Sequence, residues 1–156
     1  MRKQSDKKRK PSTALHVWTY EAALRAVPYL RAVVRSVREH WLDFQSARRQ
    51  IERLGSRPGR PDLQTLIRRA AAVKELDQAD IKLEETFDEL KVIDVYCLDP
   101  AQGLALIPFG KGDELAWYVF ELFSPQGLEA WRFHGDPLEM RRPLEQNAGS
   151  GKSFEQ

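Results

Sequence analysis

The sequence predicts an α+β domain: a long antiparallel helical hairpin, coiled-coil-like, followed by a four-stranded antiparallel β-meander. Three observations predict it. Apolar residues three and four apart run from Tyr20 through Ala23, Val27, Leu30, Val34, Val37, Trp41 and Phe44 to Ile51, which describes a helix with one narrow seam. A second such run lies between Leu63 and Leu90, beyond a break rich in glycine and proline. After Leu90 the period drops to two, and β-branched and aromatic residues take over.

Residues 1–17 read as a disordered basic tail, because charge repulsion and few apolar groups leave nothing to offset the entropy of ordering. The first helix starts near Thr19, a suitable N-cap, with Glu21 in the first turn where the helix dipole favours an anion. Pro28 lacks a donor and crowds the preceding turn, so a kink or a separate short helix is expected there. Arg48 occupies a seam position that calls for an apolar group, and Gly55-Ser56-Arg57-Pro58-Gly59-Arg60-Pro61 stops the helix. Asp62 caps the second helix, whose apolar residues are Leu63, Leu66, Ala70, Val73, Leu76, Leu83, Phe87 and Leu90. Their spacing slips after Val73, and Asp77 and Asp80 interrupt the stripe.

A short connection makes the two helices antiparallel neighbours. The expected seam sets Val34, Val37, Trp41 and Phe44 against Ala70, Val73, Leu76 and Leu83. Arg31, Arg35 and Arg38 then lie opposite Asp77, Asp80, Glu84 and Glu85, where exposed pairs worth about 0.2 to 1 kcal/mol each oppose wrong registers. A second apolar edge, Leu24, Val33, Ala47 and Leu54, is left for a partner.

The strands are expected at Val92–Leu98, Leu104–Phe109, Leu115–Phe123 and Leu128–His134. Asp99-Pro100 with Gly103, Gly110-Lys111-Gly112-Asp113 and Ser124-Pro125-Gln126-Gly127 supply the turns. Tyr118, Phe120 and Leu122 share a face with Trp131 and Phe133, and that face packs on the open end of the hairpin. Residues 145–156 read as a second disordered tail. One domain is expected over 18–144, with the hairpin at 19–90 and the meander at 92–134.

Charge and motif content narrow the function. Arg2, Lys3, Lys7, Lys8, Arg9 and Lys10 face only Asp6, so beyond this basic start the chain is acidic on balance although its formal charge is +2. Pro11 to His16 replace the apolar stretch of a secretory leader, no segment reaches the length of a bilayer span, and Cys97 is the single cysteine, all of which suit a cytoplasmic protein without a membrane. Gly151-Lys152-Ser153 resembles the end of a phosphate loop but lacks the first glycine and the following helix. His16, His40 and His134 have no second ligand at metal spacing, so no metal or other cofactor is expected. Cys97 reads as a buried small hydrophobe, Glu84, Glu85, Asp88 and Glu89 as a solvated helix face, and the tryptophans as core.

One basic feature remains. Arg48, Arg49, Arg53, Arg57, Arg60, Arg68 and Arg69 concentrate at the turn of the hairpin against Glu52 and Asp62 alone. Guanidinium groups without carboxylate partners suit phosphates, so the tip and the basic tail form an alternative surface for nucleic acid, a ribosome or an acidic protein. The opposing view is a solubilising tip. The leading expectation is a non-enzymatic interaction or self-association module, such as a homo-oligomer, built on the hairpin; an enzyme with a pocket between hairpin and sheet comes third.

Several strings add a resemblance: Thr19-Tyr20-Glu21-Ala22-Ala23 leading to Val27-Pro28-Tyr29-Leu30, Gly103-Leu104-Ala105-Leu106-Ile107-Pro108, and Arg141-Arg142-Pro143-Leu144. In their order and spacing, over about Trp18 to Leu144, the chain resembles the bacterial proteins grouped as domain of unknown function 2203. That family carries an acidic residue before the Phe-Pro of the meander, a Cys-Trp pair in the third strand and Trp-His in the fourth. Here Leu106 precedes Ile107-Pro108, Val119-Phe120 stand near the pair, and Trp131-Arg132 replace the last. The resemblance implies the fold and no reaction.

Overall fold

A computed structural model describes residues 15–144. The tail expected at 145–156, with Gly151-Lys152-Ser153, and most of the basic tail lie outside the described residues. The fold is α+β, with two long helices leading into an antiparallel sheet.

Helix α1 spans Tyr20–Gly55 and α2 spans Leu63–Val92. Both start where local chemistry sets them. The Thr19 hydroxyl accepts from the Ala22 N–H at 3.1 Å, and the Asp62 carboxylate accepts from the Thr65 N–H at 2.8 Å. The carboxyl of Asp62 is held below its usual range chiefly by the Thr65 hydrogen bonds, with Arg57 adding its field. Pro28 neither divides α1 nor precedes a new helix. It sits in an exposed turn with Leu24, so the carbonyl it leaves unbonded faces water rather than the core.

The end of α2 differs from expectation, because Val92 belongs to the helix rather than to a strand. The Val95 N–H donates to the Leu90 carbonyl at 3.0 Å and the Asp94 N–H to that of Lys91 at 2.9 Å, which is a Schellman closure. The left-handed position, φ 60°, is filled by Asp94 instead of glycine, so the usual signal is missing. The Asp94 carboxylate also accepts the His16 N–H at 3.0 Å, and the Trp18 indole donates to the Ile93 carbonyl at 3.1 Å. Residues 15–17, expected in the tail, are thereby tied to the domain, with Leu15 packed on the sheet.

The sheet contains β1 (Tyr96–Asp99), β2 (Leu104–Lys111), β3 (Glu114–Glu121), β4 (Leu128–Phe133) and β5 (Arg142–Pro143), each beside the next in chain order. The short fifth strand has no counterpart in the expected meander: Arg142 pairs with Trp131 and Pro143 with Ala130. β3 ends at Glu121, and the expected neighbour of Leu128, Phe123, is exposed; Phe120 takes that place through a bulge. Alternation gives the sheet two faces. Ala105, Ile107, Phe109, Ala116, Tyr118, Phe120, Leu122 and Leu128 pack on Leu30, Val34, Val37, Leu83 and Leu90. Leu106, Trp117, Val119 and Ala130 form a second cluster on the other face.

Arginines of α1 fasten this joint, which corrects the expected pairing across the hairpin. Arg31 donates to the carbonyls of Leu122, Ser124 and Pro125 at 3.0 to 3.2 Å, and Arg38 to that of Ala101 at 2.8 Å. They satisfy loop carbonyls of the sheet instead of the acids of α2.

The seam of α2 is also rotated from expectation. Thr65, Ala72, Ala79, Leu83 and Leu90 are buried, whereas Ala70 and Val73 are exposed. On α1 the expected Val34 and Val37 are buried, with Trp41 and Phe44 half-buried and stacked. Val33, Ala47 and Leu54, assigned to a free edge, are buried too, leaving only Leu24 of that edge exposed.

Candidate functional site

The distal end of the hairpin carries two surfaces, which meet at Leu66. The first comprises the seven arginines. All are exposed, and they divide by element: Arg48, Arg49 and Arg53 on α1, Arg57 and Arg60 in the turn, Arg68 and Arg69 on α2. Arg53 donates to the Gln50 side chain, and among the described residues none of the seven pairs with a carboxylate at ion-pair distance. Arg57, Arg60 and Arg69 converge on a depression of about 300 Å³ floored by Leu54, Thr65 and Leu66. Arg48, Arg49, Arg53 and Arg68 do not line it. Asp62 stands in the same depression, so a phosphate entering it would meet one anion and the dipole of α2 at once.

The second surface has no counterpart among the expectations from sequence. Leu63 (71% exposed), Leu66 (48%), Ile67 (55%) and Val73 (41%), with Ile81 (57%) further along, project from α2. Helical spacing puts Leu63, Ile67 and Ile81 opposite the buried Thr65, Ala72 and Ala79, with Leu66 and Val73 on the adjoining flank. Columns seven residues apart run Leu63, Ala70, Asp77, Glu84; Leu66, Val73, Asp80, Phe87, the last turned onto the core; and Ile67, Lys74, Ile81, Asp88. The outward face is therefore apolar over its first three turns and acidic beyond, with Ile81 set among the acids. The signal that could have revealed it is the slip after Val73, where two apolar stripes overlap and only one can enter the seam.

Other candidates resolve into structure. Cys97 faces the core, and burial, reinforced by nearby Asp99, pushes its thiol up to about 11, away from nucleophilic use. His134 accepts from the Trp117 indole at 3.1 Å, and Glu89 accepts from the Tyr29 hydroxyl at 2.8 Å. His40, Asp43, Glu75 and Lys82 line an open groove of about 340 Å³ along the hairpin where Ala47 and Ala79 narrow its seam. Among the described residues no three His, Cys, Asp or Glu side chains converge as metal ligands. Arg132, the residue that departs from the Trp-His string, is buried opposite Trp117; its Nη2 donates to the Asp136 carbonyl while its Nε is left without a partner. Asp136 is gripped by Arg142 at 2.8 and 3.0 Å and accepts the Phe133 N–H, which clasps β5 to β4.

No described helix is long and apolar enough to cross a membrane. Compared with known protein families, curated proteins and solved structures, the chain matches none, so geometry alone bears on its function.

Proposed function

We propose that the protein is a non-enzymatic interaction module of the cytoplasm, presenting the outward face of α2 to a macromolecular partner while the sheet holds the hairpin at its base. The observation that carries this reading is the exposed set Leu63, Leu66, Ile67 and Val73 on one face of one helix. Contiguous apolar surface rimmed by charge is costly to leave in water and marks interaction sites in stable proteins. The proposed relation to the family of domain of unknown function 2203 is compatible with this and supplies no reaction.

A photoreactive side chain at position 67 tests it in the producing cell, against the same group at Glu75 on the flank of α2. A protein adduct formed from position 67 and not from 75 is the expected result. Equal labelling from both positions, or none from 67, removes the reading.

Binding to nucleic acid is the second reading, favoured by the convergence of Arg57, Arg60 and Arg69 without carboxylate partners at ion-pair distance. Replacing the three by Gln should weaken binding to RNA or DNA of every sequence and flatten the log-log salt slope by about 0.7 to 0.9 for each phosphate no longer neutralised. Wild-type protein that shows no binding at low salt ends this alternative.

A further inference from the structure

We infer that the partner of the outward α2 face is an amphipathic helix of another protein, apolar where it crosses the tip half of α2 and rich in lysine or arginine where it crosses the base half; this rests on the interaction reading above. The face is one helix wide. At about 3.6 residues per turn, Leu63, Ile67 and Ala70 point outward with Leu66 and Val73 on one flank, and the same line continues through Asp77, Ile81, Glu84 and Asp88. Exposed polar residues bound the stripe, Gln64, Glu75 and Gln78 on one side and Arg69 and Asp80 on the other. A stripe covering roughly a third of the circumference matches the seam of a single packed helix. Such a helix sets its side chains between the rows of α2 at an axial separation of about 8 to 10 Å, and the methyl group of Ala70 permits the close approach. A broad globular surface would have to cover the polar flanks as well.

Charge identifies the chemistry of that helix. Asp77, Glu84, Glu85 and Asp88 are exposed, and among the described residues none of them forms an ion pair or a side-chain hydrogen bond. Arg31 and Arg38 of α1 are bound to loop carbonyls of the sheet instead. Glu84 and Asp88 stand one turn apart as like charges, an arrangement that weakens a helix unless a cation comes between them. Lysine or arginine on the partner supplies that cation and disfavours acidic competitors. Ile81, 57% exposed among these acids, asks for one apolar residue within the partner's basic half. A second copy of α2 does not supply such a helix, because its outward stripe carries the same acids. Apolar residues of the tip half supply the drive, and the acids of the base half select the partner and its direction.

Fluorescence anisotropy with the full chain tests this, using two synthetic helical peptides. One presents leucine and alanine along the first half of a face and leucine with lysine along the second; the other has glutamate in place of every lysine. The lysine peptide should bind, more weakly at high salt, and the glutamate peptide at least about tenfold less tightly. Leu63→Ser with Ile67→Ser, which leaves the charge unchanged, should lower affinity for the lysine peptide by at least about tenfold. Asp77→Lys with Glu84→Lys should reverse the preference between the peptides. Because all these positions are exposed, circular dichroism should read the same fold throughout. No binding at peptide concentrations on the order of hundreds of micromolar, equal affinity for both peptides, or indifference to the serine pair overturns the inference. Sedimentation equilibrium that finds a dimer abolished by the serine pair assigns the face to a second copy and overturns it too. If position 67 still forms a protein adduct in any of these cases, the interaction reading stands without the basic helix. With no such adduct both end.

Discussion

The two ends of the hairpin are built from the same helices and stabilised differently. At the base, α1 is covered by α2 and by the sheet, and the shared core includes fully buried Leu30, Val34, Val37, Leu90, Tyr118 and Phe120. Toward the tip only two helices remain, and the buried groups are Ala47, Leu54, Thr65 and Ala72, among them a threonine and two alanines. Small side chains bury little area apiece, so the tip gains less from closing its seam than the base does. Larger apolar groups stand on the outside of α2 instead. Stability is concentrated where the sheet lies, and recognition can occupy the end that contributes least to folding.

The sharpest test of that division is a matched pair of truncations. Phe120→Ala at the base should cost about 3 to 5 kcal/mol, and Leu54→Ala at the tip about 2 kcal/mol, the low end for a leucine because one side of the site can collapse toward solvent. Urea titration of both reads the difference. Equal losses would mean that the tip is as tightly packed as the base.

A second pair uses one backbone conformation in two surroundings. Gly103 and Gly59 both have positive φ, 71° and 84°. A Cβ at Gly103 would lie 2.6 Å from the Leu122 Cβ, whereas one at Gly59 would meet nothing within 4 Å. Gly59→Ala should therefore cost only the left-handed penalty of about 1 to 2 kcal/mol. Gly103→Ala adds a clash with the buried side chain of Leu122, which cannot move freely, for about 2 to 4 kcal/mol in all. A Gly59 variant as damaging as the Gly103 variant would show that the turn is rigidly enclosed.

Acid should loosen the clasp at the sheet's outer edge. The hydrogen bonds from Arg142 push the Asp136 carboxyl down to about 2, with the Phe133 N–H also favouring the anion. A carboxyl lowered from an ordinary value of about 4 contributes its stabilisation fully above that value and loses it as the pH falls toward about 2. The protection factor of the Phe133 amide should fall across that window, and Asp136→Asn should flatten the dependence. Protection that stays constant down to about pH 2 would mean the clasp contributes nothing.

The smallest expected effect on stability belongs to the proposed contact face. Ile67→Lys should change unfolding free energy of the monomer by no more than about 0.5 kcal/mol, because the side chain is already in water. A loss above about 1 kcal/mol would place Ile67 in a packed site and remove the contrast between base and tip.

How much of this was legible depends on the range of the cause. Thr19 and Asp62 are N-caps because each accepts from an amide three residues on, and Gly59, Gly103, Gly112 and Gly127 mark turns because they take positive φ. The helix periods, the change to a period of two and the turn residues are properties of neighbouring positions, and the fold class followed from them. The arginine cluster was legible as a concentration of charge. Its division was not: Arg57, Arg60 and Arg69 come together only because α2 returns beside α1. Arg31 and Arg38 also found partners that no spacing could indicate, since their carbonyls lie more than sixty residues away.

The face of α2 that meets α1 was decided by tertiary structure alone. Leu63, Leu66, Ala70 and Val73 make as regular a stripe as Thr65, Ala72 and Ala79, and the first is the more apolar. Local sequence favours burying it. But a helix is a stiff rod whose phase is common to all its turns. At the base, the sheet and α1 enclose Leu83 and Leu90, and that anchoring turns the whole helix. Roughly one, three and five turns from Leu83 toward the tip, at about 3.6 residues per turn, the same phase points Ala79, Ala72 and Thr65 inward and leaves Leu63, Leu66, Ile67 and Val73 in water. The sequence by itself determined two helices, their caps and an antiparallel sheet, because those depend on neighbours; the exposed face depends on a core formed at the far end of the rod.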